Sequence, residues 1–192
     1  MHRSFWGSVD KLDRALRVKR NSSTKRRIAV IQRMFFMASD FSIVLVRPEI
    51  PHNTGAIGRL CVGLGVPLHL IRPLGFHLDD RSIARAGLDY WPHLKVFIHD
   101  TWEDYLKEAK PKRFLMLSTH GEKSLYNCEF RDGDALVFGN ESSGLPKSFY
   151  KQYSDSLFRI PMPGEYARSI NLANAVSIAA YECFRQMCES SE

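Results

Sequence analysis

The sequence predicts an α/β fold, a mostly parallel β-sheet with helices on both faces. Short apolar runs alternate with helical patterns from residue 42 onward, as is typical of parallel strands joined by helices. Residues 171–187 repeat apolar side chains every three or four positions and so predict a long helix with one buried face. With 192 residues, 44% of them hydrophobic, the chain can form one domain with a sizeable core.

Six strands and five helices are predicted in alternation. Each strand is a run of five or six residues rich in Val, Ile, Leu or Phe, and each helix starts at Asn, Asp, Thr or Pro. The strands are expected at residues 42–47, 67–72, 94–99, 113–118, 135–139 and 157–162. The helices are expected at residues 53–65, 79–88, 101–109, 146–153 and 171–187.

Residues 1–40 are expected to be a basic, flexible extension, and residues 41–192 the folded domain. The first 40 residues hold ten Lys or Arg against three Asp or Glu, whereas the remainder holds 17 against 18. Three explanations of the extension stay open: a translation start placed too early, with Met37 the true start, an RNA-contacting arm, or an Arg-rich organelle-targeting peptide. No run of about 18 apolar residues occurs, so we expect no membrane span and a cytoplasmic protein.

The cysteines and histidines do not predict a metal site. Cys61, Cys128, Cys183 and Cys188 form no CxxC pair, and the seven histidines show no His-x-His or HExxH spacing. We therefore expect reduced, mostly packed thiols and no metal.

Three loops that follow predicted strands carry unusual residues, at the sheet edge where α/β folds bind ligands. The first, PEIPHNTGAIGRLC, offers Asn53 as a candidate helix cap and places Arg59 on the exposed side of a helix whose glycines leave room for a close neighbour. A guanidinium beside the free N–H groups of a helix start suits a phosphate. An ordinary surface arginine would give the same pattern.

The second and third loops are short of bulky side chains. FGNESSGLP combines Gly139 and Gly144 with one carboxylate, Glu141, and could also be an ordinary strand-to-helix turn. RIPMPGEYARSINLANA ends in Ser169 and Asn171, both good N-cap residues for the last helix.

Several common catalytic motifs are absent from the sequence. The GxG in CVGLGVP ends a helix and precedes a strand, whereas a dinucleotide-binding loop follows a strand and opens a helix. Neither GxxxxGK[ST] nor GxSxG occurs, so nucleotide hydrolysis and serine-hydrolase chemistry are not supported.

Taken together, PEIPHNTGAIGRLC, GFHLDDRSIARAGLDYW, FGNESSGLP and RIPMPGEYARSINLANAVSIAAYE resemble, in order and spacing, the motifs of the tRNA (cytidine/uridine-34) ribose 2′-O-methyltransferases of the SPOUT superfamily. The resemblance covers about residues 41–187. It implies a homodimer that uses S-adenosylmethionine, releases S-adenosylhomocysteine, needs no metal and acts on the tRNA anticodon stem-loop. It also implies a deep C-terminal trefoil knot, which strand alternation alone does not predict.

The resemblance implies roles for individual residues. The candidate cofactor-binding residues are Leu117, Gly139, Glu141, Ile160, Ser169 and Leu172, and the candidate catalytic residues are Arg59, Asn53 and Asn171. A bulky side chain at position 139 is expected to block the cofactor and leave the fold intact. Ser143 stands where family members often carry arginine, so a substrate phosphate contact is either lost or supplied elsewhere.

Arg59 is a poor general base, because a guanidinium keeps its proton up to about pH 12. It is therefore expected to bind an RNA phosphate and to stabilise the developing alkoxide. A tRNA-binding patch across the dimer is expected, and Tyr181 on the last helix is expected at the dimer interface. Two alternatives stay open: 2′-O-methylation of another tRNA or rRNA site, and a non-catalytic RNA-binding protein. The patch would draw on Arg47, Arg59, Arg81, Arg85 and Arg168, with Tyr90, Trp91 and Tyr166 as candidates for base stacking.

Overall fold

The computed structural model describes residues 40–77 and 90–189 of the chain. The basic extension over residues 1–39, the predicted helix at 79–88, and Arg81 and Arg85 lie outside the described residues. The described strands and helices follow one another in the predicted order, with one additional short strand.

Seven parallel strands form one sheet in the described part of the chain, in the order β3-β2-β1-β6-β4-β7-β5. Their bounds are β1 Phe41–Val46, β2 Leu68–Ile71, β3 Val96–His99, β4 Arg113–Leu117, β5 Lys123–Ser124, β6 Asp134–Phe138 and β7 Leu157–Arg159. The two-residue strand β5 was not predicted, because Lys123 and Ser124 carry no apolar pattern and pair only with the edge of β7.

Within residues 40–77 and 90–189, four α-helices cover the sheet: α1 Pro51–Leu64, α2 Trp102–Ala109, α3 Lys147–Gln152 and α4 Leu172–Glu189. One apolar core lies between the sheet, α1 and α4, and includes Ile57, Cys61 and Val176. A second core, on the other face, packs Tyr105 of α2 and Phe149 of α3 against the strands. Helices therefore lie on both faces, as predicted. The trefoil knot stays a prediction.

Helix α1 begins earlier than the sequence indicated. Asn53 was predicted to cap it, but the helix starts at Pro51, and Ile50 occupies the N-cap position without a side-chain cap. Proline favours the first helical position because its fixed φ suits the helix and its missing N–H is not needed there. Asn53 is therefore an internal helical residue whose buried side chain is available for other contacts. The helix ends at Leu64, with Gly65 as its C-cap in the left-handed conformation, consistent with the prediction that Gly63 and Gly65 mark its C-terminus.

A polar cluster lies beneath α2, on the side of the sheet opposite α1. Nδ1 of His69 lies 3.0 Å from Nε2 of His99, and Nδ1 of His99 lies 2.8 Å from a carboxylate oxygen of Glu108. Because a carboxylate only accepts, Nδ1 of His99 donates to Glu108, and a neutral His99 accepts from His69. Burial, followed by the nearby charge of His99, lowers the pKa of His69 to about 4.

Candidate active site

A cavity of about 430 Å³ lies at the carboxyl ends of the central strands. This is the edge at which parallel α/β sheets bind ligands, and the size suits a small molecule. Eight of the nine predicted site residues line it: Asn53, Leu117, Gly139, Glu141, Ile160, Ser169, Asn171 and Leu172. The ninth, Arg59, does not.

Glu141 joins the loop after β6 to the start of α1. Its carboxylate accepts hydrogen bonds from the backbone N–H groups of Glu49 (2.8 Å) and Ile50 (3.2 Å) and from the side-chain amide of Asn53 (2.9 Å). The negative charge lies at the positive end of the helix dipole, where it is stabilising. Glu141 therefore caps α1 from a distant part of the chain, so a local cap is not needed.

The contact continues from Asn53 to the start of α4. The side-chain oxygen of Asn53 accepts a 2.9 Å hydrogen bond from the amide of Asn171. The oxygen of Asn171 in turn accepts from the backbone N–H groups of Ala173 and Asn174, so Asn171 is the N-cap of α4, as predicted. Glu141, Asn53 and Asn171 thus form one line of hydrogen bonds through all three loops, and we call it the polar chain.

The carboxylate of Glu49 also joins the loop before α1 to the loop after β6. Here the loop before α1 provides the acceptor and the loop after β6 provides the donors. Oε1 of Glu49 accepts from the side-chain amide of Asn140 (3.0 Å) and from the hydroxyl of Ser142 (2.9 Å). Ser143, the position at which the resembling family often has arginine, donates its N–H and hydroxyl to Asn140. In this chain the loop is therefore closed on itself and onto Glu49, and Ser143 is exposed.

Gly139 is required by the protein's own backbone. A Cβ at this position would lie 1.9 Å from the carbonyl carbon of Gly144 and 2.2 Å from its oxygen. The turn that brings Gly144 so close is held by two backbone hydrogen bonds between Asn140 and Gly144. The expectation that a bulky residue here would leave the fold intact is therefore wrong, because the loop could not close around any side chain.

The cavity has an apolar wall and a polar rim. Leu117 and Phe138 are buried at the ends of β4 and β6, and Ile160 and Leu172 are half-buried opposite them. The rim includes residues that the sequence reasoning missed. The hydroxyls of Ser118 and Tyr150 lie 3.0 Å apart, and the ring of His120 meets that of Tyr150 edge-on at 5.5 Å. Tyr150 comes from α3, whose pattern gave no sign that it turns toward β4.

Arg59 is exposed on α1, as predicted, but it lies six residues beyond Asn53, about 9 Å farther along the helix axis. Its guanidinium carbon lies 4.7 Å from the centre of the Tyr90 ring. No carboxylate in residues 40–77 and 90–189 forms an ion pair with it. Within one chain, Arg59 therefore lies beyond the cavity on the same helix and does not line it.

The other predicted RNA-contacting residues are spread over the surface. Arg47 and Arg168 are exposed, and the side chain of Tyr166 is 98% exposed in the loop before α4. Tyr90 and Trp91 are half-buried against α1. Tyr166 is thus the candidate whose ring is free for stacking, whereas one face of the Tyr90 ring is occupied by Arg59.

The described residues contain neither a metal-binding cluster nor a membrane-spanning helix. No group of three or more His, Cys, Asp or Glu side chains is arranged to hold a metal ion within them. None of the helices described is both long and apolar enough to span a bilayer.

The chain is similar to proteins concerned with methylation of tRNA at nucleotide 34. A tRNA (cytidine(34)-2'-O)-methyltransferase of Saccharophagus degradans is 47% identical over 148 residues, which cover 77% of this chain and 96% of the relative. A solved structure concerned with the 2-OH methylation of C/U34 on tRNA is 45% identical, with a TM-score of 0.74 and coverage of 80% of this chain and 99% of that chain.

A more distant neighbour contains the cofactor. The SpoU methyltransferase AviRb from Streptomyces viridochromogenes, in complex with AdoMet, is 26% identical, with a TM-score of 0.65 over 78% of this chain and 58% of that chain. The model of the SpoU rRNA Methylase family matches residues 40–181 of the present sequence. This match covers most of the chain, and the cavity described above lies within it. The chain therefore belongs to the SpoU rRNA Methylase family.

Proposed function

We propose that this protein is a tRNA (cytidine/uridine-34) 2′-O-methyltransferase that transfers a methyl group from S-adenosylmethionine to a ribose 2′-hydroxyl. The similarity to relatives of that description, over nearly their whole length, supports the reaction and the position. The observation that carries the proposal is the cavity in which the three loops meet, with the polar chain of Glu141, Asn53 and Asn171 holding them together.

The cavity fits S-adenosylmethionine in size and in chemistry. Its apolar wall of Leu117, Phe138, Ile160 and Leu172 suits the flat adenine ring, because ligand sites combine apolar surface with a few polar groups. The loop at residues 139–144 and the hydroxyl of Ser169 supply polar groups at the same cavity. When bound, S-adenosylmethionine supplies a methyl group already activated on a sulfonium.

The residues of the polar chain position the reacting partners. The amide of Asn171 donates to Asn53 and the amide of Asn53 donates to Glu141, so their orientation is fixed before any ligand enters. Preorganisation of this kind contributes to catalysis by holding two reactants in a productive arrangement. We assign Glu141 to positioning rather than to proton transfer, because its carboxylate already accepts three hydrogen bonds.

Arg59 is proposed to contact the RNA. A guanidinium can bind a phosphate with two parallel hydrogen bonds and can stabilise the negative charge that develops on the 2′-oxygen. The proton of the 2′-hydroxyl then leaves to the adjacent phosphate or to water, since Arg59 holds its own proton throughout.

A homodimer would bring Arg59 to a cavity. Arg59 does not line the cavity of its own chain, and both α1 and α4 present surface that a partner could cover. Ile50, just before α1, is 42% exposed, and Tyr181 on α4 is 55% exposed. We propose that these surfaces pack against a second copy, so that Arg59 of one subunit serves the cavity of the other. The anticodon stem-loop would then bind across both subunits, with Tyr166 and Arg168 at the cavity entrance.

The proposed activity is tested by incubating the purified full chain with labelled S-adenosylmethionine and bulk tRNA, followed by mass spectrometry of the digested tRNA. We expect one ribose methyl group on nucleotide 34. Arg59→Ala should lower transfer about a hundredfold or more but leave it measurable, whereas the matched control Arg131→Ala, which removes another exposed arginine far from the cavity, should not lower it. Methylation at another nucleotide or of ribosomal RNA would favour the alternative substrate, and no transfer to any RNA would favour a non-catalytic binding protein.

A further inference from the structure

The tyrosine beside Arg59 does more than fill space. The ring of Tyr90 lies under the guanidinium, 4.7 Å from its central carbon, and its hydroxyl donates a 3.2 Å hydrogen bond to the carbonyl of Gly55. Gly55 and Arg59 are four residues apart on α1 and so share one face of the helix. The Tyr90 side chain therefore contacts α1 twice, through its hydroxyl at Gly55 and through its ring at Arg59.

The glycines of α1 make this arrangement possible. A side chain at position 55 would project on the face that the Tyr90 ring crosses. At position 58, a Cβ would lie 3.1 Å from Leu94 and 3.2 Å from the ring of Trp91. The close neighbour that the sequence predicted for this helix is thus, at Gly58, the segment at residues 90–94.

The contact with Tyr90 restricts the conformations that the Arg59 side chain can adopt. An exposed arginine side chain samples many rotamers, and ordering it costs conformational entropy. No ion pair holds Arg59 within the described part of the chain. The contact with the Tyr90 ring uses none of its five N–H donors, so these remain available to another partner. A guanidinium stacked on a ring keeps its edge, where the donors lie, directed outward.

We propose that Tyr90 is a positioning residue that holds Arg59 ready for an RNA phosphate. This inference rests on the function proposed above, because it assumes that Arg59 contacts the substrate. It gives Tyr90 a role other than stacking on an RNA base, since one face of its ring is already against Arg59.

The test is a double-mutant cycle on methyl transfer to a tRNA transcript, with S-adenosylhomocysteine affinity measured by calorimetry. We expect Tyr90→Leu to lower kcat/KM about tenfold. Tyr90→Phe, which keeps the ring, should retain most of the activity. In the Arg59→Ala background, Tyr90→Leu should cause no further loss, and S-adenosylhomocysteine affinity should not change in any of these variants. Tyr126→Leu makes the same substitution at an exposed tyrosine; it is the control and should behave as wild type.

Two results would overturn the inference: an unchanged rate for Tyr90→Leu, or losses from Tyr90→Leu and Arg59→Ala that multiply as independent effects do. A second readout separates this failure from failure of the proposed function. In wild type, the ring current of Tyr90 should shift the side-chain NMR signal of Arg59, and Tyr90→Leu should abolish that shift. A wild-type enzyme that transfers no methyl would refute the function, whereas an Arg59 signal insensitive to Tyr90→Leu would refute the contact itself.

Discussion

At the scale of single residues, Gly139 in the loop after β6 lacks a side chain for a different reason from the one that the sequence suggested. The sequence singled out Gly139 as a place where a side chain would obstruct a cofactor. In the structure the obstruction is the carbonyl group of Gly144, five residues away. A sequence can show that bulk is avoided, but it cannot show which neighbour excludes it, because the approach depends on how the turn closes.

Replacing Gly139 with alanine should therefore destabilise the protein even without ligand. A Cβ in contact with backbone atoms cannot be accommodated by a rotamer change, so we expect the free energy of unfolding to fall by about 3 kcal/mol or more. Gly164→Ala is the matched control, because a Cβ there meets nothing within 4 Å. Chemical denaturation of both variants measures the difference, and equal stabilities would show that the loop adapts to the side chain.

The charge and the shape of Arg59 make separable contributions. Arg59→Lys keeps the positive charge but loses the planar group that binds a phosphate with two hydrogen bonds and stacks on Tyr90. We expect methyl transfer to fall about tenfold or more, with unchanged affinity for S-adenosylhomocysteine. Steady-state kinetics and calorimetry measure the two quantities. Wild-type transfer by the lysine variant would mean that charge alone is sufficient.

At the scale of secondary-structure elements, local signals predicted most helices and strands but failed where a cap comes from elsewhere. Helix α4 begins after Asn171, a good N-cap residue that the sequence displays directly. Helix α1 is capped by Glu141, which lies 91 residues from Ile50 along the chain. Periodicity and local cap preferences contain no information about such a contact, so they wrongly predicted Asn53 as the N-cap of α1.

Asn171 has two tasks, and its removal should show both. Asn171→Ala loses the N-cap of α4 and the hydrogen bond to Asn53, so we expect a loss of about 1–2 kcal/mol in the free energy of unfolding. The control is Asn174→Ala, in the first turn of the same helix, where the side chain makes neither contact. Thermal or urea unfolding tests the pair, and a loss of equal size in the control would mean that neither the cap nor the bond to Asn53 explains the effect.

The histidine cluster under α2 should make stability depend on pH. The pKa of His69 is lowered to about 4 by burial, below its ordinary value of 6.5. The unfolded chain therefore binds a proton first as the pH falls, so stability is full above about pH 6.5 and decreases by about 3 kcal/mol as the pH falls to about 4.

Urea unfolding across that range measures the slope for wild type and for His69→Phe, which cannot titrate and should show a shallower decline. His93→Gln, an exposed histidine, should leave the slope as in wild type. A wild-type curve that is flat between those pH values would contradict the assignment to His69.

At the scale of the whole molecule, the sequence predicted the class of fold and the residues of the cavity but not the strand order that assembles them. Strand β6 lies between β1 and β4, although 87 residues separate the end of β1 at Val46 from the start of β6 at Asp134. That order brings the loops after β1 and β6 side by side, so that Glu141 reaches Glu49 and Asn53. Eight of the nine predicted residues line the cavity, and they could be named because their motifs resemble those of a known family.

Arg59 is the exception, and its position gives the account its central claim. In the proposed dimer, each active site takes its cavity from one chain and its guanidinium from the other. A heterodimer can test this directly if one chain carries Arg59→Ala and the other Ser169→Trp. The second substitution fills the cavity from an exposed position, so the fold should tolerate it.

The decisive measurement is the methyl-transfer rate of that heterodimer, purified through a different affinity tag on each chain. Each parental homodimer should be nearly inactive. The heterodimer contains one site that combines an intact cavity with an intact Arg59, so we predict about half of the wild-type rate. A heterodimer as inactive as both parents would contradict the account, because Arg59 would then serve its own chain's cavity or none.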